Sequence, residues 1–218
     1  MIVKGYGLEL LRLKHEDIEL VRNWRNSEQV SRYMEYREYI APEMQEKWFL
    51  SIDTIHHNYF IIIINGIKIG LINGSQIDWE KNETGNGGIF IWDLDYIKTL
   101  IPLRASLLLT DLSFLLGFER TYIKVLRDNP QAIAYNLNLG YQLLPGQENN
   151  YNQRYVLTKD NYFSKTKNLK HALLKSTSTE ITVIIDDPEH PASKKLAEKY
   201  NQLTKEAKKE LTFSIAAK

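Results

Sequence analysis

Two aspartates that follow an apolar segment are the first candidates for acid–base chemistry. Asp93 and Asp95 come directly after residues 87–92, GGIFIW, which have the composition of a buried strand. Ligands in open α/β sheets bind beyond the strand ends, so either carboxylate could act as a general base, directly or through water. The alternative is that both are exposed loop acids without a catalytic role.

A group of aromatic and basic residues near the start of the chain is the second candidate. It consists of Arg22, Trp24, Arg25, Met34, Tyr36 and Trp48. Aromatic rings and guanidinium groups together suit a nucleotide base and its phosphates. Core packing is the alternative for the two tryptophans, whereas arginine is rarely a core residue without a partner.

Composition excludes several other kinds of chemistry. The 218 residues include no cysteine, which rules out disulfides, thiolate metal sites and cysteine nucleophiles and favours a cytoplasmic location. His56 and His57 are adjacent, without further ligands at metal-binding spacing, so we predict no metal. The net charge of +1 predicts no general attraction to nucleic acid. No long apolar run or signal peptide is recognised, so we expect no membrane partner.

The elements that must position these residues alternate between strands and helices. Strands are predicted at residues 7–13, 59–65, 68–73, 87–92, 121–126 and 154–158, and helices at residues 15–24, 42–52, 104–116 and 130–140. Residues 78–86 are polar and are predicted to form a loop, and Asn65-Gly66 predicts a hairpin turn. Together these elements predict an α/β fold with a central, mixed, twisted sheet flanked by helices.

The last part of the chain is predicted to be a basic tail on a main domain of residues 1–163. Residues 164–178 have the composition of a polar linker, and a strand at 179–186 and a helix at 192–211 are expected within an extension over residues 179–218. One strand and one helix are too little to fold alone, so we expect the extension to pack on the main domain or on a second copy in a homodimer. Its lysines alternate with glutamates, as on a solvated helix, and do not favour nucleic-acid binding.

Two motifs resemble those of the GNAT superfamily of N-acetyltransferases. Residues 21–49, VRNWRNSEQVSRYMEYREYIAPEMQEKWF, are similar to the branch that acetylates nucleotide-linked amino sugars, and to related ribosomal-protein and antibiotic acetyltransferases. Residues 129–141, NPQAIAYNLNLGY, are similar to a second family motif, with Tyr141 in place of phenylalanine. The resemblance covers residues 1 to 160 approximately. It implies the GNAT fold, acetyl-CoA as co-substrate and a small-molecule primary amine as acceptor.

The resemblance also implies roles for individual residues. The amine must be neutral to attack the thioester, which requires a base, and a backbone N–H of the central strand, here at Ile91 or Trp92, stabilises the oxyanion. Asn129 matches the family residue that contacts the cofactor. Many relatives carry a tyrosine seven residues later as the acid for the departing thiolate. That position is Asn136 in this chain and Tyr135 precedes it, so both are candidates.

The sequence departs from the family at the loop that binds the cofactor pyrophosphate. This candidate loop consists of Lys98, Leu100, Ile101, Pro102, Leu103, Arg104 and Ala105. Leu100 and Pro102 stand where the family has glycines, and Pro102 has no N–H to donate to a phosphate. The cations Lys98 and Arg104 could compensate by charge. Either CoA binds through a remodelled loop, or the domain only binds or scaffolds.

The expected function is acetyl transfer from acetyl-CoA to a nucleotide-linked amino sugar by direct attack of the amine. Direct attack follows because neither a cysteine nor a Ser-His motif offers a covalent intermediate. One alternative is acetylation of a protein N-terminus or of an antibiotic. The other is a GNAT-fold binding or assembly module that has lost catalysis.

Overall fold

The computed structural model describes residues 1–173 and 175–216. Its strands are β1 (Ile2–Gly5), β2 (Leu8–Arg12), β3 (His57–Ile64), β4 (Ile67–Asp78), β5 (Glu83–Ile91), β6 (Arg120–Leu126), β7 (Gln142–Leu143), β8 (Asn152–Thr158), β9 (Ile181–Ile185) and β10 (Leu211–Ile215). Its helices are α1 (Ile18–Asn26), α2 (Glu28–Ser31), α3 (Pro42–Ile52), α4 (Leu94–Ile97), α5 (Ile101–Leu115), α6 (Pro130–Leu139), α7 (Lys159–Leu173), α8 (Pro191–Asn201) and α9 (Lys205–Lys209). Within these residues, none of the helices is both long and apolar enough to cross a bilayer.

All the described strands join one mixed sheet in the order β10-β9-β1-β2-β3-β4-β5-β6-β8-β7. Strands β1 to β5 form an antiparallel meander. The β5–β6 and β9–β10 pairs are parallel. The predicted α/β class, with a mixed sheet flanked by helices, is confirmed.

Helices cover the two faces of the sheet unequally. The α5 face carries the larger core, in which residues such as Leu107 and Ile72 pack together with side chains of α6, α7 and α8. The α1 face carries a smaller core, in which Val21 and Phe49 pack on sheet residues such as Ile61. No described residue of β6 or β8 belongs to this second core, so the α1 face is open over those strands.

Local turn and capping signals form as the sequence predicts. Asn65 and Gly66 have φ of 50° and 79° and close the β3–β4 hairpin, as the Asn-Gly signal requires. Gly140 ends α6 with φ of 101°. A Cβ at Gly140 would lie 2.9 Å from the carbonyl oxygen of Asn161, so glycine is required there by space as well as by conformation.

The loop predicted at residues 78–86 is wrong. Strand β4 continues to Asp78 and β5 begins at Glu83, which leaves only residues 79–82 as a turn. These strand ends are polar because they lie where the α1 face is open to solvent. Their apolar content is therefore too low for the sequence pattern to predict a strand. Strand β1, also not predicted, pairs with β2 on one side and β9 on the other.

The linker predicted at residues 164–178 is wrong for residues 164–173, which belong to α7. This helix buries Tyr162, Thr166 and Leu173, and these contacts override a composition typical of linkers. Residues 175–178 have no helix or strand. Position 174 of the predicted linker and positions 217 and 218 of the predicted extension lie outside the described residues.

The predicted extension joins the main sheet. Strand β9 pairs antiparallel with β1, with Val183 opposite Val3, and Leu196 of α8 belongs to the larger core. The helix predicted at 192–211 is wrong in its second half. Thr204 caps a separate short helix, α9, by accepting a hydrogen bond from the Ala207 N–H at 3.2 Å, and β10 follows.

A buried polar cluster ties α7 to α5 and to the β1–β2 turn. The Tyr6 hydroxyl donates to Oδ2 of Asp111, and the Lys170 ammonium donates to Oδ1 of the same carboxylate. Lys170 Nζ also lies 4.4 Å from the ring centroid of Tyr162. The side chains of Asp111 and Lys170 are only 9% and 17% exposed, so each charge depends on the other for compensation.

Candidate active site

A wedge opens in the sheet between β5 and β6. These parallel strands pair only as far as Gly87 and Ile123. Strand β4 nevertheless stays paired with β5 up to Ile91, and β8 stays paired with β6 up to Leu126. The two strands therefore separate over their carboxyl-terminal residues, and Gly88 at the start of the wedge is exposed.

The β5 side of the wedge presents free backbone groups. The N–H of Trp92 donates to the Ile69 carbonyl at 2.9 Å and so points away from the wedge. Since N–H groups alternate between the two edges of a strand, those of Ile89 and Ile91 point into the wedge. An extended ligand with amide groups could pair with them as a missing strand would.

Helix α5 begins beside this wedge, but its first turn offers few donors. The Ile101 N–H donates to Oγ1 of Thr99 at 3.1 Å, Pro102 has no N–H, and the Arg104 N–H donates to the Leu100 carbonyl. Leu103 therefore carries the free N–H of this turn among the described residues. A helix N-terminus that binds phosphate normally contributes several such groups.

On the α1 face, Arg25 lies beside the wedge, and no acid in the part of the chain that the structure describes pairs with it. Its Cζ is 5.9 Å from the ring centroid of Phe90 in β5, and its buried Nε has no hydrogen-bond partner among the described residues. Burial lowers the pKa of Arg25. A half-buried guanidinium without a carboxylate is unfavourable in the free protein, and this makes Arg25 a candidate for binding an anion.

The comparisons with known proteins give a fold. No protein-family model and no curated protein matches the sequence. Among solved structures, the nucleotide-linked sugar GNAT FdhC is 18% identical, with a TM-score of 0.64, over 79% of this chain and 98% of that one. The spermidine N-acetyltransferase of Vibrio cholerae, in complex with CoA and spermine, is 18% identical, with a TM-score of 0.60, over 72% and 98%. The ribosomal L7/L12 acetyltransferase RimL, with coenzyme A, is 15% identical, with a TM-score of 0.63, over 74% and 99%. This chain has the GNAT fold.

On this GNAT fold, the two predicted catalytic aspartates lie at the start of α4. Asp93 caps α4, with its Oδ1 accepting from the Asp95 N–H at 3.0 Å, and Asp95 is exposed. Trp92 is unavailable through its backbone, because its N–H is paired and its carbonyl accepts from Gln29. Its ring stacks on Trp24 instead.

Helix α6 of the GNAT fold places Tyr135, rather than Asn136, toward α5. The Tyr135 hydroxyl lies 3.0 Å from the Pro102 carbonyl oxygen and 2.7 Å from Ser106 Oγ. Burial raises the pKa of Tyr135 to about 12, so the phenol stays protonated at neutral pH. Asn136 donates to Ala132 of its own helix. Asn129 caps α6 through Oδ1, which accepts from the Ala132 N–H, and its amide nitrogen makes no described bond.

The aromatic and basic residues predicted to bind the acceptor substrate divide into packed and exposed side chains. Trp24, Trp48 and Met34 pack against the smaller core, whereas Tyr36 is 45% exposed. Arg22 is engaged with Glu19 and with the Ile40 carbonyl and holds the loop before α3 in place. Arg25 is half-buried, and none of the described residues forms an ion pair with it.

The sequence also predicts that Lys98 and Arg104 compensate by charge for the N–H that Pro102 lacks. Lys98 is exposed beside α5. Arg104 instead points toward the β1–β2 turn, where its Nη1 lies 3.8 Å from the position that a Cβ at Gly7 would occupy. Ile101 and Ala105 are buried, and Leu100 is exposed at the N-cap.

The sequence interpretation missed cations on the open α1 face of the GNAT fold. Lys124 of β6 and Arg154 of β8 are register partners, and Tyr122 lies under the Arg154 guanidinium. A signal was available, because Arg120, Tyr122 and Lys124 alternate with apolar or small residues along β6. This alternation predicts one polar face, but not what that face adjoins.

Proposed function

We propose that this chain transfers acetyl from acetyl-CoA to the primary amine of a small anionic molecule, first of all a nucleotide-linked amino sugar. Proteins with this fold act on sugars, polyamines and proteins according to the names of the solved neighbours, so the fold does not choose the acceptor. The observation that carries the choice is the unpaired Arg25 guanidinium beside the wedge. It would attract a phosphate group and repel a polyamine.

The wedge fits the pantetheine arm of acetyl-CoA, since the free N–H groups of Ile89 and Ile91 match an extended chain with amide groups. The pyrophosphate end fits less well, because the first turn of α5 offers Leu103 N–H and the charge of Lys98. Acetyl-CoA would supply the activated acetyl group. A cytoplasmic location is part of the proposal and rests on the cysteine-free sequence.

The residues of the chain divide the chemical tasks among themselves. The Ile91 N–H points into the wedge and is the candidate donor for negative charge on the acyl oxygen. Tyr135 holds a proton at neutral pH and is the candidate acid for the departing sulfur. Our candidate base is Asp95, whose exposed carboxylate would take the amine proton through water, because Asp93 already accepts the Asp95 N–H as the N-cap of α4.

A binding module without catalysis is the second candidate. The observation that favours it is the small number of free N–H donors in the first turn of α5. The Ile101 N–H is already hydrogen-bonded, and Pro102 has no N–H. In that case the wedge would accommodate a ligand without gripping its pyrophosphate.

Thermal shift followed by turnover tests the proposal. Acetyl-CoA at 100 times its Kd should stabilise the protein by about 2.7 kcal/mol, which is several degrees. Turnover should then be highest with UDP- or dTDP-linked amino sugars in a panel that includes spermidine, aminoglycosides and peptides. Stabilisation without any turnover would favour the binding module, and preference for spermidine would contradict an anionic acceptor.

Replacement of Pro102 by glycine should strengthen coenzyme A binding about threefold to tenfold. The glycine adds one N–H to the first turn of α5, and a hydrogen bond is worth about 1 kcal/mol. Titration calorimetry of wild type and Pro102→Gly measures the change. Pro42→Gly is the matched control, because Pro42 begins α3 away from the wedge. An equal change in both variants, or none in Pro102→Gly, would show that this turn does not face the pyrophosphate.

A further inference from the structure

We propose that Lys124 and Arg154 form a second anion site, which binds the phosphate groups of the acceptor on the open α1 face. The proposal deepens the proposed function and rests on it for the identity of the acceptor. The first observation behind it is the register of the β6–β8 pair. Lys124 and Arg154 face each other in the antiparallel β6–β8 pair. Their strand neighbours Ile123, Val125 and Tyr155 belong to the core on the α5 face, so both cations project from the α1 face.

Two like charges at directly opposed positions destabilise a sheet. Neither cation makes an ion pair with a described residue. Arg154 lies over the Tyr122 ring, with its Cζ 5.4 Å from the centroid, which orients the guanidinium without neutralising it. The free protein therefore presents two adjacent, exposed positive charges that a bound anion would neutralise.

A groove adjoins Arg154. It has a volume of about 410 Å³ and is lined by Gln76, Asp78, Glu83, Gly85, Tyr122, Leu144 and Arg154. Its two acids are already paired, Asp78 with Lys81 at 3.0 Å and Glu83 with Arg120 at 3.1 Å. The uncompensated charge among the lining residues of the groove is therefore that of Arg154, and Lys124 lies opposite it in the strand register.

The Lys124–Arg154 pair also lies where β5 and β6 begin to separate. Gly87 and Ile123 are the last residues through which β5 and β6 pair, and Lys124 is the next residue of β6. Arg25 lies on the other side of the same opening, over Phe90 of β5. An acceptor held between Arg25 and the Lys124–Arg154 pair would cross the mouth of the wedge, which is where its amine must arrive.

The chemistry of the pair favours phosphate. A planar guanidinium binds two oxygens of one phosphate, and an adjacent ammonium adds a point charge for another oxygen. A diphosphate provides oxygens for the guanidinium and for the ammonium within one compact group. We therefore commit to a diphosphate-bearing small molecule, and an acidic peptide is the competing outcome of the test.

Binding of inorganic pyrophosphate and of UDP to the ligand-free protein tests the site without any need for turnover. Titration calorimetry compares wild type with Lys124→Gln, Arg154→Gln and the double variant. We expect the Kd for UDP to rise at least tenfold in the double variant, while its unfolding temperature stays equal or increases. Lys167→Gln is the control, since Lys167 is exposed on α7 and no described acid pairs with it.

Each outcome decides one idea. Unchanged UDP binding in the double variant, or an equal loss in Lys167→Gln, would overturn the site. Binding of an acidic peptide with no response to pyrophosphate or UDP would also overturn it. If UDP binding depends on the pair but no amino sugar is acetylated, the acetyltransferase proposal fails and the site stands. If amino sugars are acetylated with an unchanged acceptor KM in the double variant, the site fails and the enzyme stands.

Discussion

Replacement of Asp111 by alanine is expected to lower the free energy of unfolding by about 3–5 kcal/mol. The substitution leaves the Lys170 ammonium partly buried without a carboxylate and removes the acceptor of the Tyr6 hydroxyl. A domain is stable by only about 5–15 kcal/mol, so this single change would remove a large fraction of the total. Urea unfolding followed by circular dichroism measures the loss.

A triple variant, Tyr6→Phe with Asp111→Leu and Lys170→Met, separates the cost of an orphaned charge from the worth of the cluster. All three polar groups are then replaced by apolar groups of similar size, and stability should return to near the wild-type value. If the triple variant were as unstable as Asp111→Ala, the cluster would be stabilising in itself. A loss below 1 kcal/mol in Asp111→Ala would mean that water reaches Lys170.

Replacement of Arg25 by methionine is expected to reduce kcat/KM for the anionic acceptor about 10- to 100-fold, because a hydrogen bond to a charged group contributes about 1.5–3 kcal/mol. The KM for acetyl-CoA should not change. The same substitution should leave the free protein equally stable or more stable, since it removes a desolvated and unpaired charge. Steady-state kinetics and thermal unfolding provide the two measurements.

Arg25→Lys is the matched control for this experiment. Lysine keeps the charge but lacks the planar fork, so it should restore part of kcat/KM and not all of it. A binding role and a packing role then give different results. If Arg25→Met unfolds at a clearly lower temperature and its kinetic loss follows the folded fraction, Arg25 supports the fold and does not bind the acceptor.

The parts of the fold that could be predicted from the sequence are those specified by local chemistry. Asn129 before Pro130 and Gly140 at the other end define α6, and Asn65-Gly66 defines the central hairpin. Helix α7 was missed because its stability comes from distant partners. Lys170 pairs with Asp111, 59 residues away, and no local sequence pattern predicts this contact.

The candidate site divides in the same way. The missing donor at Pro102 follows from its chemistry alone. The unpaired state of Arg25 requires knowledge of every neighbour, and the opposition of Lys124 to Arg154 requires the strand register. Arg22 was predicted to bind the acceptor although Glu19 stands one turn earlier in the helix, a pairing that the sequence does display.

The addition of β9 beside β1 has a practical consequence for anyone who trims this protein to the length of its solved neighbours. A chain cut after residue 163 would lose the strand that pairs with Val3 and would bare a hydrophobic border with unsatisfied amides. Ile181, Val183 and Ile185 are each at most 2% exposed, and each contributes about 1.5–3 kcal/mol by burial. Such a fragment would be prone to self-association, and truncation is therefore the wrong way to isolate its chemistry.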